Sequence, residues 1–364
     1  MRTDEAARVA APDEAVSLDE LRLAARNHGM PLEALRYDVT PIGMHYLLTH
    51  YDIPFVDETT WRLAVRGRVA TPLVLDLAAL RDFPAVERTV TLECAGNGRA
   101  RLLPRPVSQP WLDEAVGTAR WRGARLTDVL SAAGLSSDAV EVVFTGHDHG
   151  TERGVEQDYQ RGLPVADVAD VVLAYEMNGA PLPPQHGAPV RAVVPGWYGM
   201  AHVKWLRDIE VVAEPFDGYQ NAVAYRERMS ADDPGTPVTR IRPRALMVPP
   251  GYPDFMTRRR YVTAGVVTLT GRAWSGRAPV TAVSVSCDGR TWLPATLGPA
   301  ADRYAWRSWS ATWEATPGEY TLMARAEDET GVQPVDQPWN VGGMANNMTQ
   351  RVEVVVRPPG GATT

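Results

Sequence analysis

Cysteine is scarce: the 364-residue chain has two, Cys94 and Cys287, far apart. A disulfide framework is therefore excluded, and a reducing compartment is expected. Long apolar runs are missing too, and nothing approaches the ~20 residues of a membrane span. The opening Met1-Arg2-Thr3-Asp4-Glu5-Ala6 is polar and lacks the apolar stretch of a secretory signal, so a cytoplasmic location is expected. Positive charge is short as well. With 37 Lys+Arg against 44 Asp+Glu the formal charge is −7, which removes the electrostatic case for nucleic acid or an anionic membrane as partner. A local basic pocket stays compatible with that sum.

What is present is enough chain for two domains, with 30 Gly and 30 Pro promising many loops. Ser17-Leu18-Asp19-Glu20 reads as a capping box opening a helix. Trp61–Gly67 alternates like a strand, short helices are expected over Asp76–Asp82 and Arg125–Ala133, and Val140–Phe144 reads as a strand leading into Gly146-His147-Asp148-His149-Gly150. Ser230–Pro237 has linker composition. Beyond it, Val266–Gly271, Val280–Cys287, Tyr304–Glu314, Gly318–Ala326 and Arg351–Val356 read as strands. Trp274, Trp292, Trp306, Trp309 and Trp313 lie among them, which argues a β-sandwich. Cys287, on one of these strands, reads as an inert packed thiol. The expected segments are 1–39, a helical extension; 40–235, the chemical domain; and 236–364, the sandwich.

Four clusters could carry chemistry. In Thr91-Leu92-Glu93-Cys94-Ala95-Gly96-Asn97-Gly98-Arg99 a thiol follows a short β-type run, and two glycines let backbone approach something bulky. A lone cysteine is ordinarily a small buried apolar residue, but a thiolate is also a strong ligand for soft metals. His147 and His149 have a His-x-His spacing that could chelate zinc around Asp148. His186-Gly187-Ala188-Pro189-Val190-Arg191 and Gly196–Trp205 add His186, Arg191, His202 and Lys204. Such cations suit a phosphorylated organic cofactor. A thiolate with an anion-binding set suggests a metal held partly by protein and partly by a phosphate-bearing organic ligand.

Thr91–Arg99 resembles the Cys-Ala-Gly-Asn-x-Arg signature of the sulfite oxidase family of molybdenum enzymes. Leu173–Pro183, His186–Arg191 and His202-Val203-Lys204-Trp205 are similar to the same family, as are Ala273–Gly276, Ser286–Trp292 and Pro338-Trp339-Asn340 in the tail. The resemblance spans roughly residues 40–356. It implies an α+β chain: a mixed α/β molybdopterin-binding domain followed by an immunoglobulin-like β-sandwich through which a homodimer forms. It further implies Mo-molybdopterin with Cys94 as the protein's metal ligand. His50, Asp148, His186, Arg191, His202, Val203 and Lys204 would hold the pterin and its phosphate. Arg99 and Trp111 would stand near the substrate channel, and Tyr225 (second choice Tyr219) would be the active-site tyrosine.

Three positions depart from the family pattern. Leu48 and Gly342 stand where arginines are expected, and Ala224 replaces an acidic neighbour of the tyrosine. A charge-assisted hydrogen bond is worth about 1.5–3 kcal/mol, so losing two weakens the hold on a dianion. The expected reaction is oxygen-atom transfer, sulfite to sulfate or a related sulfur or oxo substrate, with electrons leaving to an external acceptor. The alternatives are a molybdenum-dependent reductase of an S- or N-oxide, a zinc metallohydrolase built on His147 and His149, and a protein that only binds.

Overall fold

The computed structural model describes residues 8–359; residues 1–7 and 360–364, at the ends of the first and third expected segments, lie outside them. The helix Leu18–Arg26 begins at the capping box: Ser17 Oγ accepts from the Glu20 amide and the Glu20 carboxylate accepts from the Ser17 amide. Glu20 is buried and also ion-paired to Arg105. Arg26 donates to the His50 carbonyl at 2.8 Å, so the helix docks through polar contacts. Leu18 and Leu21 stay exposed.

Two five-stranded sheets carry the chemistry. In the first, the order is Leu73–Leu75, Leu63–Gly67, Leu206–Val212, Glu141–Glu152 and Val155–Pro164; one pair, Leu63–Gly67 with Leu206–Val212, is parallel. The second is antiparallel: Ala85–Glu93, Val116–Arg125, Val172–Met177 and Ala180–Pro181, with Arg191–Val193 also on Val172–Met177. One apolar core joins both sheets, uniting Leu63, Val65, Phe144 and Ile209 with Leu173 and Ala192. The helices Leu77–Arg81, capped by Asp76, and Leu126–Ala133 pack on it through Leu80, Leu126, Val129 and Leu130. Both fall where the sequence indicated.

Glu141–Glu152 is longer than Val140–Phe144 suggested. It runs through the histidines, with pairing to Val155–Pro164 broken between Thr145 and His149. That bulge re-aims Asp148, as bulges do. Gly146 makes the room: a Cβ there would stand 2.3 Å from Asp148 Oδ1 and 2.7 Å from the Lys204 carbonyl oxygen.

The C-terminal part is a β-sandwich. One sheet contains Arg244–Met247, Gly265–Trp274, Arg307–Ala315 and Thr296–Leu297; the facing one is built on Arg260–Thr263, Val352–Arg357, Gly318–Asp328 and Ala282–Ser286. Val283, Leu322, Val354, Leu269 and Trp309 fill the space between. Two expectations need correction. Cys287 lies just past its strand and is half-buried. Ser230–Pro237 folds into a hairpin, with Arg226–Glu227 pairing with Thr236–Pro237 and Asp233 accepting from the Met229 and Gly235 amides.

Trp274 and Trp306 do not fill the sandwich. They pack with Met30, Leu35, Ala95 and Tyr225 in a cluster between sandwich and site. From there Trp274 donates to Glu93 Oε2 at 2.8 Å, and the fully buried Arg244 donates to Glu93 Oε1 at 2.9 Å and Asp113 Oδ1 at 3.0 Å. The residue before Cys94 is therefore held by the sandwich. Removing one partner of such a buried ion pair costs about 3–5 kcal/mol.

Candidate active site

Cys94 ends the strand Ala85–Glu93 and its amide donates to the Ala115 carbonyl at 2.9 Å. The chain then turns tightly, with Gly98 in the left-handed region at φ 89°. Gly96 has no room for a side chain, because Arg99 folds back over it and a Cβ would meet the guanidinium at 2.6–2.7 Å. Burial pushes the Cys94 thiol pKa up, while the Arg99 charge, the Gly96 amide and the Trp111 indole favour the thiolate. Cys94 is buried where two cavities meet, and Leu48, His50 and Tyr225 share that seam.

The first cavity is lined by His45, Asp148, His186, Arg191, His202 and Lys204 among others. Arg191 donates to the carbonyls of His186 (3.0 Å) and His202 (3.1 Å), and its guanidinium lies 4.9 Å from the Trp121 ring centroid. Burial lowers its pKa to about 10. Lys204 Nζ donates to the Leu48 and Gln185 carbonyls at 2.9 and 3.1 Å and stands 4.2 Å from the Trp205 ring centroid. Burial lowers the Lys204 pKa and raises that of Asp148. The histidines are held neutral by desolvation: His45 and His50 are lowered to about 4 and His186 to about 2.

Three buried atoms here have no partner: His45 Nε2, Asp148 Oδ1 and Arg191 Nε. Buried polar groups are almost always satisfied, so the cavity is built for a polar guest. A carboxylate accepts from the N–H groups of a heterocycle, and guanidinium and ammonium groups bind phosphate. With the Cys94 thiol at its edge, this set would suit a phosphate-bearing pterin whose metal could take Cys94.

The second cavity shares Cys94 with the first, and Arg99, Trp111 and Tyr225 line it. Arg99 Nε donates to the Gly342 carbonyl at 2.8 Å and an Nη to that of Gln109 at 3.2 Å. Trp111 is buried, its indole N–H near enough to the Cys94 sulfur to favour the thiolate though outside ordinary hydrogen-bond geometry. Tyr225 follows a short π-helix, Gln220–Ala224, a distortion often found at functional sites. Its hydroxyl lies 2.8 Å from His50 Nε2, and burial keeps its pKa well above the usual phenol value. Tyr219 lines neither cavity.

The structure corrects other expectations. Val203 is a core side chain packed with Leu206 and Ile209. His202 lines the first cavity, but both ring nitrogens are already engaged: Nδ1 accepts from the Val194 amide at 3.0 Å, so Nε2 donates to the Trp197 carbonyl at 3.0 Å. It shapes the wall rather than reaching a ligand. His149 is exposed, with Asp158 and Glu156 on its two nitrogens, and burial lowers the pKa of the half-buried His147. Among the described residues no three His, Cys, Asp or Glu side chains converge as a metal site, which removes the support for the zinc hydrolase. Sequence reasoning missed His45, which stacks edge-on to His186 at 5.5 Å, and Tyr159, which stacks on His50 at 4.8 Å. His45 sits within a segment that reads only as irregular; Gly117 accommodates its ring, since a Cβ there would lie 2.6 Å from His45 Cδ2.

The oxidoreductase molybdopterin binding domain matches residues 50–220, and the Mo-co oxidoreductase dimerisation domain matches residues 250–357. Mitochondrial sulfite oxidase of Homo sapiens is 37% identical over 342 residues, which are 88% of this chain and 62% of that protein. Nitrate reductase [NADH] 1 of Oryza sativa subsp. japonica is 33% identical over 355 residues, covering 88% of this chain and 38% of that one. This chain thus spans less than two thirds of the length of either. The sulfane dehydrogenase SoxCD from Paracoccus pantotrophus superposes with a TM-score of 0.79 at 26% identity, over 95% of this chain and 87% of that one. The cofactor these matches imply is Mo-molybdopterin, and the chain belongs to the sulfite oxidase family of molybdopterin-dependent oxidoreductases.

Proposed function

We propose that the protein transfers an oxygen atom to or from a small sulfur or other oxo compound, with sulfite to sulfate as the reference reaction. One observation carries this reading. Cys94 and Tyr225 stand where a cavity that gathers Arg191, Lys204, Asp148 and several histidines meets one walled by Arg26, Arg99 and Arg153. The first suits a cofactor and the second a substrate.

Bound Mo-molybdopterin supplies two-electron redox chemistry coupled to oxygen-atom transfer. The protein's part is to hold, orient and screen. Cys94 offers the thiolate. Arg191 and Lys204 offer charge to the phosphate, and Asp148, His45 and His186 offer hydrogen bonds to the polar edges of the pterin. Arg99 orients an anionic or strongly polar substrate. Tyr225 holds its proton at Oη, and neutral His50 Nε2 is placed to accept from or donate to it. That pair can pass a proton along the seam without charging either ring for long. Electrons leave to an external acceptor. A dimer through the C-terminal sandwich, with a boundary near residue 235, completes the proposal.

The resemblance to nitrate reductase keeps oxoanion or S- and N-oxide reduction as the second reading. Steady-state turnover of the molybdenum-loaded protein decides. Sulfite with ferricyanide is compared with nitrate, sulfoxides and N-oxides under an artificial donor. Saturable sulfite oxidation is expected; turnover with nitrate or an oxide alone reverses the direction, and no redox turnover with any of them ends the proposal.

A further inference from the structure

The second cavity lacks arginines at Leu48 and Gly342, yet it is still basic. Its wall contains three guanidinium groups, Arg26, Arg99 and Arg153, against one carboxylate, Glu152. Arg26 donates to the His50 carbonyl, Arg99 to those of Gly342 and Gln109, and Glu152 accepts from Gln220 Nε2 at 3.0 Å. Arg153 differs from all of these. It makes no hydrogen bond or ion pair with any described residue, and its charge is close enough to depress the pKa of Arg99.

Its position is built, not incidental. The strands Glu141–Glu152 and Val155–Pro164 pair up to Glu152 opposite Val155, leaving Arg153 and Gly154 as a two-residue turn with φ 49° and 79°. Two successive left-handed residues make the turn whose twist matches a hairpin, and asparagine or glycine is the usual choice at its first place. A large cation there sits in a conformation that costs it something, and such outliers concentrate where a side chain has work to do.

We infer that Arg153 is a specificity-determining residue that selects a small anionic substrate, supplying from the hairpin tip the positive charge absent at Leu48 and Gly342. It acts at the cavity mouth, pairing with Arg99 across the anion. Cys94 and the first cavity do not depend on it. The inference rests on the proposed oxidoreductase reading for its substrate, but not for its binding test.

The test uses the molybdenum-loaded protein and Arg153→Asn, which removes the charge but keeps a residue the turn accepts, beside Arg153→Lys. Sulfate binding is titrated calorimetrically, and sulfite KM and kcat are measured in the same preparations. Arg153→Asn should weaken sulfate binding and raise KM by roughly 10-fold, leaving kcat within about 2-fold and molybdenum content unchanged; Arg153→Lys should recover part of the loss. The wild-type effect should shrink as salt rises. Unchanged sulfate affinity and KM in Arg153→Asn would overturn the inference. If sulfite is not a substrate at all, the catalytic reading fails while the sulfate titration still decides the role of Arg153.

Discussion

The two cavities that meet at Cys94 are framed in different ways. In the first, Asp148 and Arg191 are set by strands, Asp148 beside a bulge. In the second, Arg99 is fixed by two backbone carbonyls, and the wall comes from distant segments around Arg26, Arg153 and Gly342. A residue on those distant segments can change without disturbing the strand frame of the first cavity. Under the proposed function, substrate choice is therefore separable from cofactor binding.

The largest blow to that separation is Cys94→Ser. It removes the thiol that lines both cavities and is proposed as the metal ligand, and a hydroxyl is a poor substitute for a soft thiolate. Turnover should fall by more than about 100-fold, beyond what loss of a merely supporting group around a metal produces. Near-normal turnover in that variant would mean the metal is not held at position 94.

Acidity comes next, and it should strike the first cavity. Burial lowers the histidine pKa values there, His45 and His50 to about 4, His202 to about 3 and His186 to about 2. Below about pH 6.5 the unfolded chain then binds more protons than the folded one. This contribution is complete at neutral pH and lost as pH falls from about 6.5 through the folded values. The size is roughly 2 kcal/mol per histidine between pH 7 and 5. His149 has the opposite sign: Asp158 and Glu156 raise its pKa, so its small contribution exists below about 6.5 and fades as pH rises. Urea unfolding at pH 7 and pH 5 should show the midpoint dropping; an unchanged midpoint would refute neutral buried histidines.

The legibility of the two cavities in the sequence also differs, for physical reasons. Cys94 with its glycines, and the cations Arg191 and Lys204, were readable because chemistry needs those residue types. His202 and Val203 belong to the same motif, yet one is saturated by backbone and the other is core. A motif names a segment, not which of its side chains turns inward. His45 was invisible because its role depends on the space left by Gly117, far along the chain. Asp233 helps give Ser230–Pro237 a linker-like composition, but its carboxylate caps a hairpin instead. Arg153 belongs to no motif, and only the register of its turn brings it to the cavity.

Leu48→Arg sharpens the comparison with the smallest expected effect. Leu48 lines both cavities, while its carbonyl, not its side chain, holds Lys204. The substitution therefore leaves that hydrogen bond available and adds a guanidinium at the seam. Facing the second cavity, it should lower the sulfite KM by about 10-fold, the low end of what one charge-assisted contact is worth, with molybdenum content unchanged. Facing the first cavity, it would set a third cation beside Arg191 and Lys204 in space the proposed pterin needs. Molybdenum content would then fall with no gain in affinity. Measuring both in one preparation shows which cavity owns position 48, and a loss of metal without a change in KM would contradict the independence of substrate choice from cofactor binding.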